Sequence, residues 1–155
     1  MKKRCGTIAI VGQPNVGKST LLNYFIGTKL SITSRKAQTT RYQLLGIHTT
    51  PETQYIFVDT PGYQLKHLNT LNKNLNKTVK QTLQNVDVIL FLIEPRQMTE
   101  VDEKILQMIP EETPIILVIN KVDRLKEKSK LLELIQVFKE NERYKEIIKV
   151  EKCVL

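Results

Sequence analysis

The sequence has little that would place the chain in a membrane or outside the cell. Its longest apolar run, residues 88–93, has six residues and is far too short to span a bilayer. Only five apolar-leaning residues, 7–11, follow the basic N-terminus, too few for the core of a secretory signal. The two cysteines, Cys5 and Cys153, are far apart and lack metal-ligand spacing, so we expect free thiols. These absences predict a cytoplasmic protein.

Internal repeats, low-complexity tracts and interdomain linkers are also missing. The chain has 155 residues, of which 41% are hydrophobic and 26% charged, as in an ordinary soluble globular protein. This length suffices for one domain with a sizeable core. We therefore expect residues 1–155 to form a single domain.

One stretch, GQPNVGKS at residues 12–19, matches the phosphate-binding loop pattern G-x-x-x-x-G-K-[ST]. A β-branched apolar run (7–11) precedes it and an amphipathic helical run (20–26) follows it. Strand, loop and helix in this order are the context that the motif requires, although a chance match is the alternative. We predict a nucleoside-triphosphate site formed by Gly12, Gln13, Pro14, Asn15, Val16, Gly17, Lys18, Ser19 and Thr20.

The residue types in this loop suit the chemistry of a triphosphate. Gly12 and Gly17 permit backbone angles closed to other residues, so that successive N–H groups can point at one anion. The N-terminus of the following helix adds its dipole. Lys18 would reach the β- and γ-phosphates as a catalytic cation, and the Ser19 hydroxyl would bind Mg²⁺.

Acidic residues are scarce around this loop. Residues 1–60 carry eight Lys or Arg against two acids, whereas residues 101–155 carry eleven of each, and the net charge is +8. Part of the excess would balance a triphosphate. The remainder fits a polyanionic partner such as RNA and an ordinary solvated surface about equally well.

A polar stretch, residues 31–41, contains no Gly or Pro and no clean periodicity, which indicates a mobile loop. A GTPase needs a Thr in this loop to close over Mg²⁺ and the γ-phosphate. Thr40 is the predicted residue and Thr39 the alternative. A Thr pair in a loop without the neighbouring motif would simply be solvated.

A hairpin and an acidic turn come next. Residues 42–49 and 54–58 are predicted strands whose short connection makes them antiparallel. Asp59 follows them at the start of Asp-Thr-Pro-Gly and would hold Mg²⁺, while the Gly62 N–H would approach the γ-phosphate in a catalytic role. Ras-like proteins have a water-orienting Gln after this Gly, and Tyr63 replaces it here, so slow hydrolysis is expected.

The remainder of the chain alternates helices and strands. An amphipathic helix is predicted over 65–84, and its basic outer face would contact either RNA or solvent. That face comprises Lys66, Lys73, Lys77 and Lys80. The further predicted strands are 86–93, 115–119 and 146–150, and the further predicted helices are 102–109 and 126–141. The pattern predicts an α/β fold whose sheet is parallel apart from one strand.

Asn-Lys-Val-Asp at residues 120–123 follows a predicted core strand and has the chemistry of purine discrimination. The Asp123 carboxylate can accept hydrogen bonds from N1–H and the exocyclic amine of guanine, which adenine cannot donate. Asn120 can bond the base edge and brace the phosphate loop, and the Lys121 stem can lie along the ring. We therefore predict selectivity for guanine.

These motifs resemble those of the translation-factor-type small GTPases, and most closely those of the Era family of ribosome-assembly GTPases. The resemblance rests on the phosphate loop with Asn15, on SRKAQTTR (34–41), on DTPGY (59–63) and on NKVD (120–123). It implies a Ras-like, three-layer P-loop GTPase fold. It also implies that the protein hydrolyses GTP to GDP and phosphate with Mg²⁺. It also makes Asn15 a candidate potassium ligand, because relatives with Asn at this place use it in that way.

The resemblance further implies a partner, the small ribosomal subunit with its 16S rRNA, which the family binds through a C-terminal KH domain. A monomer is expected, and peripheral membrane association is left open. Residues 150–153 (VEKC) lack the Ser-Ala of the last guanine-binding box, so the chain is interpreted as a G domain that ends before that box and the KH domain. Three hypotheses stay open: a slow GTPase of this or another translation-factor type, a nucleotide switch with negligible hydrolysis, and a remnant unable to hold nucleotide.

Overall fold

Six β-strands form one mixed sheet within residues 2–26, 43–59, 77 and 80–151, the part of the chain that this computed structural model describes. The strands are β1 (Arg4–Gly12), β2 (Gln43–Thr49), β3 (Thr53–Asp59), β4 (Val88–Ile93), β5 (Ile115–Ile119) and β6 (Tyr144–Lys149). Their order in the sheet is β2-β3-β1-β4-β5-β6. Neighbours are parallel except for β2 and β3. The predicted α/β sheet with one antiparallel strand is therefore confirmed.

The helices of the described residues are α1 (Lys18–Ile26), α2 (Glu100–Met108) and α3 (Lys128–Lys139), and residues 80–83 are also helical. Helix α2 begins two residues before its predicted start at residue 102 because a capping box sets its first turn. In this box the Thr99 hydroxyl accepts the Asp102 N–H, and the Asp102 carboxylate accepts the Thr99 N–H. No helix in the described ranges is long and apolar enough to cross a membrane.

The core lies on both faces of the sheet, because side chains alternate along each strand. On β1, Ala9 and Val11 face a cluster that includes Ile105 of α2 and Phe138 of α3. Between them, Ile10 faces the opposite cluster, which contains Leu21 and Leu22 of α1. Strand β4 supplies both clusters, which explains why all of Ile89–Ile93 is buried and apolar. Helices on both faces make the predicted three layers.

Strand β1 lies between β3 and β4, and these three strands are parallel to one another and to β5. Their carboxyl ends therefore meet at one edge of the sheet, which is where ligands bind in open α/β folds. Gly12, Asp59, Ile93 and Ile119 end the four strands. The phosphate-loop pattern and the Asn-Lys-Val-Asp pattern both follow strands that end at this edge.

Several sequence predictions fall on residues outside the described ranges. The 31–41 loop with Thr39 and Thr40 lies there, as do Gly62 and Tyr63. Most of the predicted 65–84 helix and its basic face lie there too, although residues 77 and 80–83 are helical. Cys5 is an exposed free thiol, as predicted.

Candidate nucleotide site

The loop between β1 and α1 has a backbone shape that favours glycine at two positions. Gly12 has φ +155° and Gly17 has φ +105°, angles that other residues rarely adopt. Space is limiting as well, because a Cβ on Gly17 would overlap the amide nitrogen of Asn120. A Cβ on Gly12 would lie 2.5 Å from the Leu92 carbonyl oxygen. The loop therefore passes too close to neighbouring atoms for a larger residue at either place.

Lys18 is the first residue of α1, and its side chain folds back over the loop. The ammonium Nζ donates hydrogen bonds to the carbonyl oxygens of Gly12, at 2.9 Å, and Gln13, at 2.8 Å. Ser19 and Thr20 follow it and are exposed. The first turn of α1 contains no acidic residue, so its N-terminal dipole and the lysine favour an anion together.

Asn120 connects the end of β5 to the phosphate loop. It is buried, and its side-chain Nδ2 donates to the Val16 carbonyl oxygen at 3.0 Å. Its backbone N–H donates to the Ile93 carbonyl at the end of β4, at 2.9 Å. Asn120 therefore braces the loop as the sequence predicted, and it links the two motifs directly.

Lys121 and Asp123 adopt different environments after Asn120. Lys121 has a left-handed backbone (φ 58°), and its Nζ donates to the Asn15 carbonyl and, at 2.8 Å, to the Glu94 carboxylate. The hydrogen bond from Lys121 is the main cause that lowers the pKa of Glu94 below its ordinary value. Asp123 lies in the 3₁₀ turn Val122–Arg124 and is exposed.

A buried carboxylate beside the loop was not among the residues proposed from sequence. The Gln13 amide Nε2 donates to Asp102 at 2.9 Å and to the Thr99 hydroxyl at 2.7 Å. Asp102 is fully buried, at 0% exposure, and forms a 2.8 Å ion pair with Arg96. The Thr-x-x-Asp pattern at residues 99–102 signals a capping box, but nothing in it signals the contact with Gln13.

The charge of Asp102 is set by opposing influences. Burial is the largest and disfavours the charged form. Hydrogen bonds from Thr99, Arg96 and Gln13, together with the attraction of the Arg96 charge, outweigh it and lower the pKa of Asp102. The carboxylate is therefore ionised at neutral pH, with its charge matched by Arg96.

The predicted magnesium ligands are only partly described. Ser19 is exposed in the first turn of α1, and Asp59 ends β3 at the edge where β1 ends. Among the described side chains no group of three or more His, Cys, Asp or Glu could hold a metal ion. Mg²⁺ does not require such a group, because it usually takes one or two protein oxygens and completes its shell with phosphate and water.

The comparisons with known proteins agree on one kind of relative. A family model described as "50S ribosome-binding GTPase" matches residues 7–121. GTPase Era of Chromobacterium violaceum is 54% identical over 124 residues, which are 80% of this chain and 42% of that protein. GTPase Era of Actinobacillus pleuropneumoniae is 45% identical over 150 residues, which are 96% of this chain and 49% of that protein. The chain thus spans less than half the length of the curated relatives it matches.

Solved structures of the same kind have the same fold. A crystal structure of Era with MgGDPNP and nucleotides 1506–1542 of 16S ribosomal RNA matches with a TM-score of 0.78 and 42% identity. That match covers 97% of this chain and 52% of the other. A variant of Aquifex aeolicus Era bound to GDP and AlF4⁻ matches with a TM-score of 0.76 and 42% identity, over 96% of this chain and 51% of the other.

Proposed function

The chain belongs to the family described as "50S ribosome-binding GTPase" and, within it, to the Era GTPases, and on this premise we propose that it binds GTP and hydrolyses it to GDP and phosphate. We propose residues 1–155 as one G domain whose sheet carries both halves of the nucleotide site. The observation that carries the proposal is the Asn120–Val16 hydrogen bond, which joins the guanine motif to the phosphate loop across 104 residues.

The described side chains support a division of roles in this reaction. The backbone N–H groups of the loop, apart from Pro14, which has none, would bind the phosphates, and Lys18 would contact the β- and γ-phosphates, where negative charge develops. Asn120 and Asp123 would bind the guanine edge, with Lys121 beside the ring. The full nucleotide-binding set is Gly12, Gln13, Pro14, Asn15, Val16, Gly17, Lys18, Ser19, Thr20, Asp59, Gly62, Asn120, Lys121 and Asp123.

The residues present fit a magnesium ion, since Ser19 supplies an exposed hydroxyl and Asp59 lies at the shared strand edge. Ser19, Asp59 and Thr40 would hold it, and it would supply neutralisation of the phosphate charge. The solved Era complex with MgGDPNP supports this assignment. Thr40 and Gly62, which lie outside the described residues, would contact the γ-phosphate.

The proposal also includes a potassium ion, ribosomal RNA as a partner and a location in the cell. Asn15 is an exposed loop residue and would supply a potassium ligand. The Era complex with 16S rRNA supports a role in small-subunit assembly. We expect a cytoplasmic monomer, and vesicle flotation would decide whether it also associates with membranes.

Two measurements separate the three hypotheses. GDP at a hundred times its dissociation constant should stabilise the fold by about 2.7 kcal/mol in thermal unfolding, whereas a remnant would show no shift. Phosphate release with Mg²⁺ then distinguishes a slow GTPase from a switch with negligible hydrolysis.

Replacing KCl by NaCl tests the potassium proposal, with Asn15→Ala as the variant that should lose any difference in the rate of phosphate release.

A further inference from the structure

The connection from β4 to α2 (residues 94–99) and the first turn of α2 lie outside both recognised motifs, yet they contact both. Glu94 pairs with Lys121 of the guanine motif at 2.8 Å. Asp102 accepts a hydrogen bond from Gln13 of the phosphate loop at 2.9 Å. This region therefore contacts both halves of the proposed site, and Asp102, in the first turn of α2, is its buried residue.

The two oxygens of Asp102 have separate partners. Oδ2 accepts from the Thr99 N–H at 3.0 Å, the Thr99 hydroxyl at 3.1 Å and Arg96 at 2.8 Å. Oδ1 accepts from the Gln13 amide. Helix capping and charge balance are therefore satisfied through Oδ2, so a capping role does not account for the contact made by Oδ1.

A short covalent and hydrogen-bonded path leads from this contact to Lys18. The Gln13 side chain, held by Asp102 and Thr99, belongs to the residue whose carbonyl accepts the Lys18 ammonium at 2.8 Å. A Gln13 side chain released from its partners would let this peptide unit rotate. The direction of the Lys18 ammonium depends on that carbonyl and on the Gly12 carbonyl at 2.9 Å.

A carboxylate is suited to this task because it only accepts hydrogen bonds and so fixes which end of the Gln13 amide faces it. A second anion near a triphosphate would ordinarily oppose binding. Arg96 offsets this repulsion, since its guanidinium pairs with Oδ2 of Asp102 at 2.8 Å, whereas Gln13 contacts Oδ1. The arrangement thus supplies a directional acceptor without a net negative charge.

We propose that Asp102 is a positioning residue for the phosphate loop, which acts through Gln13 on the orientation of Lys18. The inference rests on the proposed binding of guanine nucleotide and adds a residue outside its motifs.

A double-mutant cycle on GDP affinity tests the path. Gln13→Met keeps the length of the side chain and removes its donors, and Asp102→Ala removes the acceptor. Each should weaken GDP binding about tenfold, the equivalent of one hydrogen bond to a charged group. The double variant should also lose about tenfold, because both changes break one path, whereas independent effects would multiply to about a hundredfold.

Asp87→Ala is the matched control. Asp87 accepts hydrogen bonds from Thr7 N–H at 2.8 Å and its hydroxyl at 3.0 Å, far along β1 from the loop. Its loss should lower thermal stability and leave GDP affinity unchanged. The ³¹P resonance of the bound β-phosphate should shift in Gln13→Met and Asp102→Ala and stay in place in Asp87→Ala.

The outcomes separate the inference from the function it rests on. A parent chain that binds no GDP would overturn both. A parent that binds GDP while Gln13→Met binds it equally well would overturn the inference alone, even if Asp102→Ala failed to fold. Multiplicative losses, or an unmoved ³¹P resonance, would likewise reduce Asp102 to a helix cap.

Discussion

The phosphate half and the base half of the proposed nucleotide site differ in construction. The loop at 12–19 is fixed by positive-φ glycines and by side chains that reach it from β5 and α2. Asp123, by contrast, lies exposed in a single 3₁₀ turn. Phosphate is recognised by many weak backbone donors that must be held in place together. A base is selected by one side chain that must be free to meet it, so Asp123 stays exposed while Lys121 holds the same segment in place.

Removal of the strongest element of the phosphate half should have the largest effect. Lys18→Ala removes a fixed positive charge from a site otherwise made of neutral N–H groups, so binding of a GTP analogue should be abolished. Isothermal titration measures this, with Lys149→Ala on the exposed face of β6 as the control. If the Lys18 variant bound like the parent, the phosphate-loop assignment would be wrong.

Asp123→Asn should change the choice of base and leave the phosphate half intact. Asn presents one acceptor and one donor, so it loses a bond to guanine and can instead face the carbonyl of xanthine. GDP should lose several kcal/mol, XDP should gain, and ADP should still fail to bind. Competition against a fluorescent guanine nucleotide measures the order, and an unchanged order would remove guanine specificity from the proposal.

Asn120→Ala should weaken both halves at once, because this residue links them. The variant leaves the Val16 carbonyl without its 3.0 Å donor in a buried place, which costs about 1–3 kcal/mol. Both the stability without nucleotide and the affinity for GDP should fall. Asn85→Ala, which removes an exposed side-chain bond to the Gln81 carbonyl, is the control. An effect on affinity without one on stability would contradict the linking role.

Glu94→Gln should have the smallest effect. The pair with Lys121 is partly exposed, so GDP affinity should fall only about two- to threefold. Because the pKa of Glu94 is lowered in the fold, its contribution is present above its ordinary pKa of 4.5 and is lost as the pH falls through the lowered value. Parent and variant should therefore converge in acid, and a difference that persists there would rule out this ion pair as its cause.

Local patterns and long-range contacts differ in how far the sequence could predict them. Buried parallel strands and a glycine-defined loop leave continuous local patterns, so β5 and residues 12–19 were predicted closely from residue type and spacing. The Gln13–Asp102 bond joins residues 89 apart that belong to unrelated local patterns, and no periodicity records it. Helix α2 begins two residues earlier than the apolar periodicity predicts, because the capping box of Thr99 and Asp102 sets its first turn.

The Asn120–Val16 bond also sets a time order for the synthesis of the protein. The loop leaves the peptidyl-transferase centre 104 residues before its brace. At about 5–20 residues per second, this interval is roughly 5–20 s. Val150 must follow too, because its N–H donates to Ile119 at 2.8 Å and its carbonyl accepts from Val122 at 3.3 Å. Affinity for nucleotide should therefore arise late and abruptly in a growing chain, once the last strands have joined the sheet.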